Sequence, residues 1–176
     1  ELHVDHVHTI PGEHDTIDEG VNGYLKFFDH DGNGKAWYSF NQGGAHFIGL
    51  NNVLGFKMGR LAALGDEQIA WMKNDLSGVS GSTPIVVLAH IPLWTVWDPW
   101  GWGPPDSPQA IPLLRPHGSV PVPHAHLHHA LQTVAGHLSL PTPLSLAAPP
   151  PPPVAPSLRP PPPATAPPPR PPPLPP

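Results

Sequence analysis

Pro84-Ile85-Val86-Val87-Leu88-Ala89-His90-Ile91-Pro92-Leu93 decides the architecture. A short continuous run of branched apolar residues, opened by a proline and closed by a histidine, predicts a buried strand over 85–89. In an α/β fold the end of such a strand carries reactive groups, because the loop there is exposed while the strand holds it rigid. His90 stands at that place. The same position also fits a histidine hydrogen-bonded at the edge of a core.

Working back from this strand, Gly65 to Leu76 predicts a helix. Asp66 and Glu67 suit its first turn, where negative charge offsets the helix dipole. Ile69, Met72 and Leu76 recur at helical spacing, so that face turns inward. Before it, Trp37 to Phe40 and Ala45 to Leu50 predict two strands joined by the tight turn Gln42-Gly43-Gly44, a β-hairpin. Ile17 to Phe28 predicts a helix with Val21, Leu25 and Phe28 on one face, weakened by Gly20 and Gly23. Leu2, Val4, Val7, Thr9 and Ile10 suggest a first strand running into the turn Pro11-Gly12-Glu13-His14-Asp15.

On the far side, an aromatic loop with four tryptophans runs from Trp94 to Pro105. Its rings suit a pocket wall, or a loop pinned by its own aromatics. Gln109 to Arg115 predicts a short helix, with Pro112 awkward inside it. Gly118 to Val122 predicts a strand that Pro121 and Pro123 interrupt. From about residue 149 the chain is mostly proline, a composition of polyproline II or disorder that cannot build a core. The expected organisation is therefore a folded unit over 1–148 and a disordered proline-rich tail over 149–176. Within that tail, Arg170-x-x-Pro173-x-x-Pro176 fits a ligand of SH3-type domains, as any proline run with an arginine does.

Composition narrows the function. The formal net charge is -5, with 8 Lys and Arg in all, which argues against a nucleic-acid partner needing a basic patch. The chain has no cysteine, so thiolate metal sites and disulfides are excluded and the compartment is left open. Its longest strongly apolar stretch, Pro84 to Trp94, is too short to span a bilayer. The 13 histidines are the outlier. Three clusters hold the candidate chemistry: Glu13-His14-Asp15 at a turn, His90 at a strand end, and His124-Ala125-His126-Leu127-His128-His129. His126-x-His128 sets two imidazoles on one side of an extended segment, which suits one shared or two adjacent metal ions. A solvated histidine cluster has the same spacing. Asp29-x-Asp31-x-Asn33-Gly34 opens like a calcium loop, but Phe40 occupies the place where a bidentate glutamate is required.

In their order along the chain these features resemble the calcineurin-like metallophosphoesterase family, in its bacterial cyclic-nucleotide-phosphodiesterase-like branch. The matches are Pro11-Gly12-Glu13-His14-Asp15, then Trp37-Tyr38-Ser39-Phe40 with Gly43-Gly44 and His46-Phe47-Ile48-Gly49-Leu50. They continue through Leu64-Gly65, Glu67-Gln68 and Trp71 to Val87-Leu88-Ala89-His90-Ile91-Pro92-Leu93, and then to His126-Leu127-His128, with Gln132, Val134 and Gly136 beyond.

The resemblance implies an α/β fold, part of a two-sheet β-sandwich flanked by helices. It implies two divalent metal ions (Mn, Fe or Zn) about 3.5 Å apart, bridging a hydroxide that attacks phosphorus in a small phosphoester substrate. Glu13, His90 and His126 would ligate one metal and His128 the other. His14 would protonate the leaving oxygen or hold the phosphoryl group, with Asp15 fixing its imidazole.

This chain departs from the pattern. Glu13 replaces an asparagine, and Ala125 replaces a glycine. The family's Asp-x-His and Gly-Asp-x-x-Asp/Asn motifs would have to lie before Glu1. The sequence thus predicts a metal-dependent phosphomonoester or phosphodiester hydrolase represented by an inactive C-terminal part. The competing reading is a non-catalytic secreted or surface metal-binding protein with a proline-rich spacer. Nothing in the sequence fixes the oligomeric state.

Overall fold

The computed structural model describes residues 6–29, 32, 34–54, 63–94, 103–126, 131–135 and 138–142. Expectations that fall on Leu2, Val4, Asp31, Asn33, Trp97, Trp100, Trp102, His128, His129 and the proline-rich stretch from 149 lie outside those residues. The fold is mixed α/β. In chain order it comprises a 3-10 turn (Glu13–Thr16), α1 (Val21–Phe28), β1 (Tyr38–Gln42), β2 (Ala45–Gly49), α2 (Asp66–Ser77), β3 (Ile85–Leu88), α3 (Ser107–Leu114), β4 (Val120–Pro121), β5 (Leu131–Ala135) and β6 (Leu138–Thr142).

The hairpin forms as its turn chemistry requires. Gly43 and Gly44 have φ of 60° and 81°, the left-handed conformations that a two-residue turn needs and that glycine adopts without a Cβ penalty. β1 and β2 pair antiparallel from Tyr38↔Gly49 to Gln42↔Ala45. β2 then pairs parallel with β3, His46 opposite Ile85 and Ile48 opposite Val87. The parallel step needs a crossover, and α2 lies in that connection.

One face of this sheet makes the core. Ile48, Ile85 and Val87 are fully buried with Met72 and Leu76 of α2, Ala110 and Leu114 of α3, and Val120 and Val122 beyond. A polar cluster locks α2 to the hairpin. Asp75 Oδ2 lies 2.7 Å from His46 Nε2, Ser39 Oγ donates to Asp75 Oδ1 at 2.7 Å, and His46 Nδ1 lies 2.9 Å from Asn41 Oδ1. The other face carries a stack of rings. Phe40 lies 4.8 Å from Phe47 and 3.7 Å from His8, its ring stacked nearly parallel to both.

Several expectations are corrected. Residues 6–12 form no strand. They are held instead by side chains, with Tyr38 Oη donating to Thr9 O at 2.8 Å and Tyr24 Oη bonded to Thr9 Oγ1 at 2.6 Å. α1 starts only at Val21, because Gly20 takes φ 60° and breaks the helical path. Its buried residue is Tyr24 rather than Phe28, while Phe27 is exposed. α3 accommodates Pro112 in its last turn and draws Pro108 into its first, where a missing amide costs nothing. The interrupted strand near 118–122 shortens to Val120–Pro121. A hairpin follows that no sequence signal marked: β5 and β6 pair antiparallel, and β4 joins β6 in parallel. Among the described residues no helix is long and apolar enough to cross a membrane.

Candidate metal centre

Three backbone segments meet beyond the C-terminal end of β3. β2 and β3 run together until Leu50 N donates to Leu88 O at 2.9 Å. There the chain after β4 takes over as β3's neighbour: Ala89 bridges His124 in parallel, Ala89 N donates to Pro123 O at 3.3 Å, and Ala125 N donates to His90 O at 3.0 Å. This pairing carries His126 to the side of His90. The third segment is the turn at Gly12-Glu13. A Cβ at Gly12 would stand 3.1 Å from His90 Cε1 and 3.3 Å from both ring nitrogens, so a side chain there would press the imidazole away from this backbone by a few tenths of an ångström.

One nitrogen each from His90 and His126 and one oxygen of Glu13 all fall within 4.8 Å of one another. His90 Nε2 is 2.5 Å from Glu13 Oε2, and His126 Nδ1 is 3.1 Å from Glu13 Oε1. The two rings are 5.5 Å apart at 71°. The side chains keep 13% (Glu13), 20% (His90) and 14% (His126) of their exposure, so all three are largely shielded from solvent. Among the described residues this is the one cluster of three such donors.

Glu13 is the electrostatic centre. Burial raises its carboxyl pKa, but the facing His126 and His90 nitrogens outweigh burial and hold it well below the usual carboxylate range. Glu13 Oε2 and His90 Nε2 are both buried and, close as they are, neither is in hydrogen-bond geometry. Buried polar atoms are almost always partnered. A cation between them would satisfy both. In a tetrahedral site with donors about 2.0–2.2 Å from the ion, neighbouring donors stand about 3.3–3.6 Å apart. His126 Nδ1 is already close to that spacing from Glu13 Oε1, while His90 Nε2 faces the other oxygen, Oε2, and would have to move away from it by about 1 Å. The donor set fits a metal.

His14 is 85% exposed, with Nε2 3.7 Å from Glu13 Oε1. The expected pairing of Asp15 with the His14 ring is replaced: Asp15 Oδ2 accepts from Gly12 N at 2.8 Å and so fixes the turn that presents Glu13. The alanine at 125 is tolerated because the left-handed conformation falls one residue later, on His126 itself (φ 57°). A non-glycine residue held there stores backbone strain, and such strain gathers at functional sites.

Of the histidine cluster, His124 turns inward, edge-on to Trp94 at 6.1 Å, and burial lowers its pKa, favouring the neutral ring. His128 lies outside the described residues. Sequence reasoning missed Gly12 as the residue that admits the His90 ring, and it missed Asn52. Asn51-Asn52 directly after an apolar strand was the available signal, since buried amides there need backbone partners.

No protein-family model matches this sequence, and no curated protein matches it.

Proposed function

We propose that the chain is part of a metal-dependent phosphoester hydrolase and holds a divalent transition-metal ion between Glu13, His90 and His126. One observation carries this reading: three donors from segments far apart in sequence converge at a strand end, and two of their buried atoms lack hydrogen-bond partners. Two imidazoles and a carboxylate suit Mn, Fe or Zn, whereas Mg and Ca favour all-oxygen sites.

The motif order shared with calcineurin-like phosphoesterases supports phosphoester chemistry. On this reading the two three-stranded sheets belong to a larger two-sheet sandwich. His128 would serve a second ion. A bound ion would supply Lewis acidity toward a phosphoryl oxygen. Glu13 offsets the ion's charge, and the Gly12–Asp15 turn aims that carboxylate. His14, exposed beside Glu13 with Nε2 3.7 Å from its Oε1, would protonate the leaving oxygen or hold the phosphoryl group.

The described residues offer three ligands to one ion, so this chain is expected to bind metal without turnover. The reading requires Asp-x-His and Gly-Asp-x-x-Asp/Asn motifs in the coding sequence upstream of Glu1. The test is hydrolysis of a chromogenic phosphodiester and phosphomonoester, with added Mn, by this chain and by a version extended through that upstream sequence. Turnover confined to the extended protein, and lost in its His90→Ala variant, is the expected result. Extension without metal-dependent turnover would leave a non-catalytic metal-binding protein as the better reading.

A further inference from the structure

We propose that Asn52 is a positioning residue for the metal ligand His90, acting through the peptide that joins His90 to Ile91. The inference rests on the metal-centre reading above. Asn52 follows β2 and is wholly buried, as is Ile91. Its Nδ2 donates to Ile91 O at 2.5 Å, and its Oδ1 accepts from Ile91 N at 3.1 Å. The two bonds fix the amide's orientation, because a flipped amide would face oxygen to oxygen and nitrogen to nitrogen.

The His90–Ile91 peptide is thereby gripped from both sides. Its carbonyl, His90 O, accepts from Ala125 N at 3.0 Å, on the segment that carries His126. Its amide, Ile91 N, donates to Asn52 on the segment leaving β2. The regular β2–β3 ladder has ended at Leu50 and Leu88, so on the β2 side the Asn52 side chain takes the place of a strand partner for this peptide. Orienting the peptide fixes the backbone of His90 on its C-terminal side, and with it the direction in which the imidazole leaves toward Glu13. Without Asn52 both polar groups of Ile91 are buried and unpaired, and the loop turns to find partners elsewhere. Residues that orient a ligand in this way commonly change metal affinity about 10–100-fold when removed.

Asp106 provides a structural control. Its carboxylate accepts from Leu64 N and Gly65 N at the start of α2, at 2.9–3.1 Å, and touches nothing on the His90 peptide. The full chain and its Asn52→Ala and Asp106→Ala variants would be titrated with Co(II), reading both the dissociation constant and the visible d–d spectrum. The temperature is one at which circular dichroism shows all three folded. Asn52→Ala is expected to weaken Co(II) binding about tenfold or more and to change the spectrum. Asp106→Ala is expected to melt earlier yet to bind within about threefold of the unaltered chain, with the same spectrum.

If Asn52→Ala does not fold, Asn52→Asp takes its place; it keeps the acceptor for Ile91 N and loses the donor, and the shift should be smaller but in the same direction. An Asn52 variant that binds like the unaltered chain, or an Asp106 variant weakened as much as it, overturns the clamp and leaves the metal centre standing. An unaltered chain that takes up no Co(II) overturns the metal centre and the clamp with it.

Discussion

Glu13→Ala is expected to weaken divalent-metal binding more than about 100-fold, since changing a mere orienting partner of a ligand already costs about 10–100-fold. Glu13 is the one carboxylate in the cluster, and it lies within 2.5 Å of His90 Nε2 and 3.1 Å of His126 Nδ1. Its removal takes away a ligand and the negative charge that makes a dication tolerable among shielded side chains. Glu13→Gln separates these two losses. It keeps an oxygen of the same reach and removes the charge, so its affinity should fall between the other two. Calorimetric titration with Zn or Mn checks the series. Affinity in Glu13→Ala within about tenfold of the unaltered chain would show that the ion is held elsewhere.

Ile48→Ala is expected to cost about 2–5 kcal/mol of folding stability, measured by urea unfolding of the full chain. Ile48 is completely buried at the middle of the central strand β2, opposite Val87 of β3 and among the helix residues that cover that face. Its removal leaves a cavity that the neighbouring core side chains can fill only in part. Domains of this size are stable by only about 5–15 kcal/mol, so the change removes a large share. Val86 sits one residue out of register with that core, on the half-buried face. Val86→Ala should therefore cost much less. Equal losses for the two would mean that the covered face of the sheet has been assigned wrongly.

The parts of the fold that were legible in sequence are those where one local signal suffices. Gly43-Gly44 dictates a two-residue turn, and the register of β1 on β2 follows from it. The i, i+3, i+7 spacing of Ile69, Met72 and Leu76 marks the inner face of α2, and the structure buries Met72 and Leu76 there. The Ile85–Ala89 run marks β3, and its end marks His90. The rest depends on contacts distant in sequence. Residues 6–12 look like a strand by composition, yet they are held at Thr9, whose carbonyl takes the Tyr38 hydroxyl and whose Oγ1 meets the Tyr24 hydroxyl, contacts that no alternation pattern encodes. The β5–β6 hairpin has no Asn-Gly or Asp-Gly turn to announce it.

The candidate site divides in the same way. Glu13, His90 and His126 were implied as ligands by the resemblance that their motifs carry, and the structure brings these three together. Asp15's attachment to Gly12 N was not legible, because either the His14 ring or the backbone is within its reach. His126's left-handed backbone was equally hidden, since it follows directly on the pairing of Ala125 with His90 across the fold, a contact distant in sequence. The Asn52 clamp joins residues 39 positions apart and leaves no periodic trace.

Anomalous diffraction from zinc-soaked crystals of this chain, recorded at the zinc absorption edge, tests the central claim most directly. The account predicts one dominant peak about 2.0–2.2 Å from an oxygen of Glu13 and from one imidazole nitrogen each of His90 and His126. A difference map with no anomalous density at these three residues, while Glu13 and His90 remain in contact, would contradict it.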